Sequence, residues 1–218
     1  MSDSQLSTPE PIPEAEGATA PVRKRPKPGE RRVQILQALA TMLEQPGSER
    51  ITTAGLAARL EVSEAALYRH FASKAQMFEG LIEFIEQSVF TLVNQITERE
   101  TAGAAQAAKV VAMLLQFAEK NPGMTRVMVG DALVFENERL QQRMNQFFDK
   151  IEATLKQSLR AGTGAAADGD ASATPSADAQ VKASMLTSFA VGRLQRFARS
   201  GFRRMPSEHL DASLALML

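Results

Sequence analysis

Apolar positions along this chain recur at three- and four-residue spacing almost from Gly29 to the C-terminus, the period of a helix with one buried face. Val33, Leu36, Ala40 and Leu43 predict a first helix with these four on one face, stopped by Pro46-Gly47. Two short helices follow, near 53–60 and 63–71. A long one begins near Lys74, with Met77, Leu81, Phe84, Ser88, Leu92 and Ile96 along one stripe. Alanine-rich 101–108 is weakly patterned, and helix resumes to Lys120 before Asn121-Pro122-Gly123 breaks it. Leu140, Met144, Phe147, Ile151 and Leu155 mark another long helix. The stretch 161–179, AGTGAAADGDASATPSADA, has no Val, Ile, Leu, Met or Phe to bury, and reads as a mobile loop. A helix over 180–200 and a short one from Ser207 complete the chain. No strand-like alternation of useful length occurs, so the fold class expected is all-α.

The organisation expected from this pattern is a tail over 1–28, a three-helix head over 29–73, and a larger helical body over 74–218 that carries the loop. Apolar residues make up 44 % of the chain, enough for a true core. Cysteine is absent, which removes disulfides, thiolate metal sites and thiol nucleophiles together. The N-terminus is acidic and Pro-rich with no apolar stretch, so no signal peptide is expected. The longest apolar run, near Val110 to Leu115, is far short of a membrane span.

Formal net charge is zero, but it is unevenly spread. Residues 1–22 carry four acids (Asp3, Glu10, Glu14, Glu16) and no base, while 23–32, RKRPKPGERR, carries six bases and one acid. A polyanion meets the local cluster, not the mean. Two histidines far apart, no cysteine, no Gly-rich phosphate loop and no carboxylate–histidine set argue against an enzyme, and neither a metal nor a cofactor is expected.

The chemistry concentrates in ITTAGLAARLEVSEAALYRHFASKAQMF, residues 51–78. Thr52 or Thr53 is placed to cap the first short helix and Ser63 the second. Leu56 and Leu60 face inward, Ala57 permits close approach, and Leu67 and Phe71 pack on the first helix. Glu64, Ala65, Tyr68 and Arg69 are left outside. Two short helices with a tight turn, the second presenting small and aromatic residues, form a helix-turn-helix whose second helix enters a DNA major groove. Tyr68, the sole tyrosine, offers a hydroxyl to phosphate and a ring to sugar. His70 and Lys74 reach backbone oxygens, and the Thr53 hydroxyl does so from the opposite wall. Ala65 and Ala66 let the helix seat deeply and touch thymine methyls. Arg31, in the basic arm, follows phosphates or a minor groove.

This segment resembles the DNA-binding head of the TetR family of regulators. The resemblance implies an all-α dimer, with the last two long helices at the interface, and palindromic DNA as partner. Glycine is usual in that family's turn, where this chain has Glu61. Ala54 and Gly55 stand where many relatives have larger polar residues, which shifts readout toward phosphates, methyls and DNA shape. LIEFIEQS, NPGMTRVMVGDAL and FENERLQQRMNQFFDKIEA further resemble the family's nucleoid-occlusion members. Those bind DNA and, so bound, inhibit assembly of the division GTPase FtsZ. The resemblance therefore implies a cytoplasmic, nucleoid-associated homodimer with FtsZ as protein partner and no small-molecule ligand. It assigns Phe84, Lys120 and Asn121 to a groove between the fourth and fifth helices, where Leu92 replaces a basic residue. The alternative within the fold is a ligand-responsive repressor, which needs convergent polar groups in the body. The inward faces read as aliphatic.

Overall fold

The computed structural model describes residues 29–45, 51–163 and 175–218. The tail 1–28, Pro46-Gly47 and residues 164–174 of the expected loop lie outside them. Among the described residues all regular structure is helical.

Helix α1 (Glu30–Leu43), α2 (Thr53–Arg59) and α3 (Glu64–Tyr68) form the head. Their sequence caps work as the chemistry of the termini requires. The Thr52 hydroxyl accepts from the Gly55 amide at 3.1 Å, and the Ser63 hydroxyl accepts from the Ala66 amide at 3.2 Å. Ile35, Leu39, Leu43, Leu56, Ala57, Leu67 and Phe71 close one core beneath them. Val33 is 53 % exposed, so α1 buries Ile35, Leu39, Ala40 and Leu43 rather than the face expected from Val33. Glu61 takes the left-handed conformation, φ 53°, in the turn where glycine was missing.

Helix α4 (Lys74–Arg99) leads from the head into the body. Its buried positions are Met77, Phe78, Leu81, Ile82, Ile85, Val89 and Val93. The stripe expected through Phe84 and Leu92 is a neighbouring one, and those two side chains are exposed. A helix advances about 100° per residue, so two apolar stripes can lie side by side; the richer in aliphatics went inside. Helix α5 (Gly103–Lys120) includes the alanine-rich stretch, and α6 (Pro122–Met128) starts where a break was expected. Proline at the first helical position costs no hydrogen bond there. Gly123 lets α6 lie directly on α1, since a Cβ would stand 1.9 Å from the Ala40 carbonyl oxygen. The Thr125 hydroxyl, fully buried, donates to the Ala118 carbonyl at 2.9 Å and so closes the end of α5.

After a single 3-10 turn, Asp131–Leu133, α7 (Glu138–Thr163) runs parallel to α4. The pairs Glu79–Arg139 and Glu86–Arg143 strap the two together. Glu86 and the two neighbouring acids of α4 hold the Arg143 guanidinium above its ordinary pKa. Helix α8 (Pro175–Arg199) returns antiparallel along α7, and α9 (Leu210–Met217) ends the chain. Residues 161–163 and 175–179 are thus helical, which shortens the expected loop at both ends. Phe147 sits at the centre of the body, edge-on to Phe90 and Phe148 at 5.6 and 5.1 Å. Leu194 and Phe197 of α8, one of the two helices expected at a dimer interface, are buried in the chain's own core. The exposed apolar side chains of α8 are Val181 and Met185 instead, and Gly192 has nothing near it.

Candidate nucleic-acid interface and partner groove

The head presents one continuous polar face. Glu64, Ala65, Tyr68, Arg69 and His70 are all exposed, and Tyr68 keeps 45 % of its surface. Leu67 and Phe71 anchor the buried side of this segment and leave its exposed side without a large aliphatic group. Ala66 is half-buried, so the small surface of α3 rests chiefly on Ala65.

Five of the expected site residues are already engaged within the chain. The Thr53 hydroxyl donates to the Glu64 carboxylate at 2.5 Å and ties the start of α2 to the start of α3. The pair thereby fixes α2 against α3, and the Thr53 hydroxyl does not stand free in this state. Thr52 and Ser63 spend their hydroxyls as caps. Lys74 is half-buried, pairs with Glu136, and lies 5.7 Å from the Phe78 ring centre. The pairing was invisible in the sequence because the partners are 62 residues apart.

Arg31 is half-buried on the first turn of α1. Its neighbour Arg32, expected only as part of the basic arm, packs α1 against the end of α3. It donates to the His70 carbonyl at 3.0 Å and stacks on the Phe71 ring at 4.1 Å. The His70 backbone is thereby fixed while its ring remains exposed. Nothing local in the sequence signalled this contact, since Arg32 and His70 are 38 residues apart.

In the body, the antiparallel α4–α5 hairpin brings the first half of α4 level with the end of α5. Phe84 is 46 % exposed there, and Lys120 is exposed with no ion pair among the described residues. Asn121 caps α5, its amide donating to the Phe117 carbonyl at 2.7 Å, so only part of that side chain is available. Further along lies a hollow of about 260 Å³ lined by Leu92, Gln95, Ile96, Arg99, Glu100, Lys109 and Met113. Its floor is apolar and its rim carries cations. Lys109 grips Glu100 at 2.6 Å and holds that carboxyl below its ordinary pKa.

A second hollow, about 440 Å³, lies among α4, α5 and α7. Asn94, Thr97, Gln106, Thr154, Gln157 and Ser158 converge on it beside Phe90. Of these six only Ser158 is buried, so the inward faces are largely aliphatic as expected, with a polar hollow at their edge. No group of three or more His, Cys, Asp or Glu side chains fit to hold a metal occurs among the described residues. No described helix is long and apolar enough to cross a membrane.

Known proteins bear on both surfaces. Residues 35–81 match the family of bacterial regulatory proteins, tetR family, and 103–218 match the SlmA-like tetracyclin repressor-like C-terminal domain. Nucleoid occlusion factor SlmA of Idiomarina loihiensis is 49 % identical over 187 residues, covering 86 % of this chain and 93 % of that protein. The protein of that name from Escherichia coli is 50 % identical over 188 residues, covering 86 % and 92 %. Among solved structures, the stearoyl-CoA complex of the regulator FadR from Bacillus subtilis superposes with a TM-score of 0.66 at 13 % identity, covering 85 % of this chain and 96 % of that one. A ketosteroid transcriptional regulator of Mycobacterium tuberculosis gives 0.63 at 18 % identity, covering 87 % and 93 %. At such identities the two structures speak for the fold alone.

Proposed function

The chain belongs to the TetR family of bacterial regulatory proteins, within the branch of the nucleoid occlusion factors, and from that premise we propose that it binds palindromic DNA as a homodimer and, so bound, inhibits assembly of the FtsZ ring over the chromosome. The observation that carries the DNA-binding half is the exposed face of α3, with Tyr68, Arg69 and His70 free around a small alanine surface. Tyr68, His70 and Lys74 grip phosphates and sugars, and Ala65 faces base edges. Arg31 and the basic arm before it add phosphate contacts. Val181 and Met185 on α8, with the open surface at Gly192, make the face that meets a second copy. Two heads then reach half-sites about 34–36 Å apart, one helical turn of DNA.

The FtsZ half rests on the α4–α5 groove. Phe84, Leu92 and Met113 offer an apolar bed, and Lys109, Arg99 and Lys120 offer cations at its edge. Such a groove suits an extended peptide that alternates apolar and acidic residues. Co-sedimentation with FtsZ polymers tests the proposal. Polymer loss that requires operator DNA, and disappears in Phe84→Ala, is the expected result. Polymers that survive in the presence of the DNA-bound protein would refute it.

A second reading, the ligand-responsive repressor, has one observation in its favour: the polar hollow where Ser158, 3 % exposed, meets five other hydrogen-bonding side chains. It would be preferred if a small molecule raised the melting temperature and released the operator together.

A further inference from the structure

Lys74 occupies an awkward place for a cation. It is the first residue of a 26-residue helix, at the end where the peptide dipoles leave partial positive charge. The first turn of α4 holds no acid to offset it. The Ser73 hydroxyl satisfies the Gln76 amide, and the amides of Lys74 and Ala75 have no acceptor inside the helix. Such an end attracts an anion. The anion that pairs with the Lys74 ammonium is Glu136, whose side chain is 9 % exposed.

Glu136 does not belong to the head. It lies between the 3-10 turn and α7, its amide donating to the Leu133 carbonyl at 3.0 Å. Val134 and Phe135 before it are 66 % and 65 % exposed, and Asn137 after it accepts the Arg139 amide at 3.0 Å to open α7. The nearby arginines are taken, Arg139 by Glu79 and Arg143 by Glu86. A Glu136 deprived of Lys74 has no other cation among these to turn to.

We propose that Glu136 is a positioning residue for DNA binding: it competes with a DNA phosphate for Lys74, so that the Lys74–Glu136 pair and the phosphate contact exclude each other. This rests on the reading of Lys74 as a phosphate ligand. An ammonium has three donors, but seating a carboxylate and a phosphate on it together brings two anions into contact in a half-dry site, where their repulsion is strong. When phosphate takes Lys74, Glu136 turns toward water and carries residues 134–137 with it. The start of α7 loosens, and the body registers that the head is on DNA. Linkage makes the effect reciprocal: whatever holds Glu136 against Lys74 weakens DNA binding, and whatever draws it away strengthens it.

The test uses full-length protein and a duplex selected by the wild type from a randomised pool, with affinity read by fluorescence anisotropy at fixed salt. Glu136→Gln keeps the volume and removes the charge. We expect it to bind about two- to fivefold tighter, the range an ion pair with one partly solvent-exposed partner commands. Lys74→Gln is expected to bind more weakly, and Glu136→Gln added to it to change nothing further. A merely structural Glu136 would give weaker or unchanged binding when altered, and that result, with Lys74→Gln still weakened, overturns the inference while leaving the Lys74 contact standing. Equal tightening in both backgrounds also overturns it, as a general charge effect. Unchanged binding by Lys74→Gln removes the phosphate contact and the inference together. Hydrogen exchange in the wild type needs no variant to fold: amides 136–140 should exchange faster once DNA is bound, and slower or equal exchange contradicts the proposal.

Discussion

Gly123→Ala places the sharpest demand on the packing of head against body. The new methyl would stand 1.9 Å from the Ala40 carbonyl oxygen and 2.8 Å from its carbon. A tolerated carbon–oxygen contact is about 3.3 Å, so α1 and α6 must part by about 1.4 Å. Both sides of the clash are backbone, and no side-chain rotation relieves it. Overpacking of this kind costs about 1–3 kcal/mol. Alanine returns up to about 1 kcal/mol of helix propensity over glycine in a helix interior, and less near an end such as this one. A net loss of about 1–2 kcal/mol remains, equivalent to a fall in melting temperature of about 2–8 °C for a chain of this length. Thermal unfolding followed by circular dichroism measures it, and DNA affinity measured alongside should fall as the head is pushed off its seat. A melting temperature equal to or above that of the wild type would mean that helix propensity alone governs the site, and that α6 does not lie on α1 as described.

Three further outcomes follow from particular contacts. Thr125→Val strips the buried donor from the Ala118 and Asn121 carbonyls at 2.9 and 3.1 Å, and urea denaturation should show a loss of about 1–2 kcal/mol. Met185→Glu puts a charge on the exposed face of α8 and should shift sedimentation from dimer to monomer, with loss of operator binding but not of helix content. Glu100 is held below its ordinary pKa chiefly by the Lys109 hydrogen bond, so the pair's contribution is present above the ordinary carboxylate pKa and lost as pH falls through the lowered one. Carbon-detected NMR titration should place its midpoint below that of a free glutamate, and Lys109→Ala should return it upward.

The head was the most legible part of the chain because its determinants are local. Thr52 and Ser63 cap helices that begin beside them, and Leu56, Leu67 and Phe71 pack within twenty residues of one another. The left-handed Glu61 stands where the resemblance to the family implies a glycine. What the pattern could not supply was the choice between competing apolar stripes. Phe84 and Leu92 satisfy helical periodicity as well as Ile82 and Ile85 do, and only the packing of α5 and α7 decides which pair goes inside. Pro122-Gly123 was read as a break because both residues disfavour helix interiors. At a helix start, one is well suited and the other permits the approach to α1. Charge pairing was the least legible feature. Lys74 looked free for DNA until the fold carried Glu136 to it, and the polar hollow around Ser158 is assembled from three helices.

Hydroxyl-radical footprinting on a selected operator tests the central claim most directly, namely that α3 enters the major groove while Tyr68 and its polar neighbours grip the backbone. Two protected patches about 34–36 Å apart, centred on a two-fold axis, and lost in Tyr68→Ala at unchanged melting temperature, are the result this account predicts. A single unsymmetrical patch, or a footprint that survives Tyr68→Ala undiminished, would contradict it.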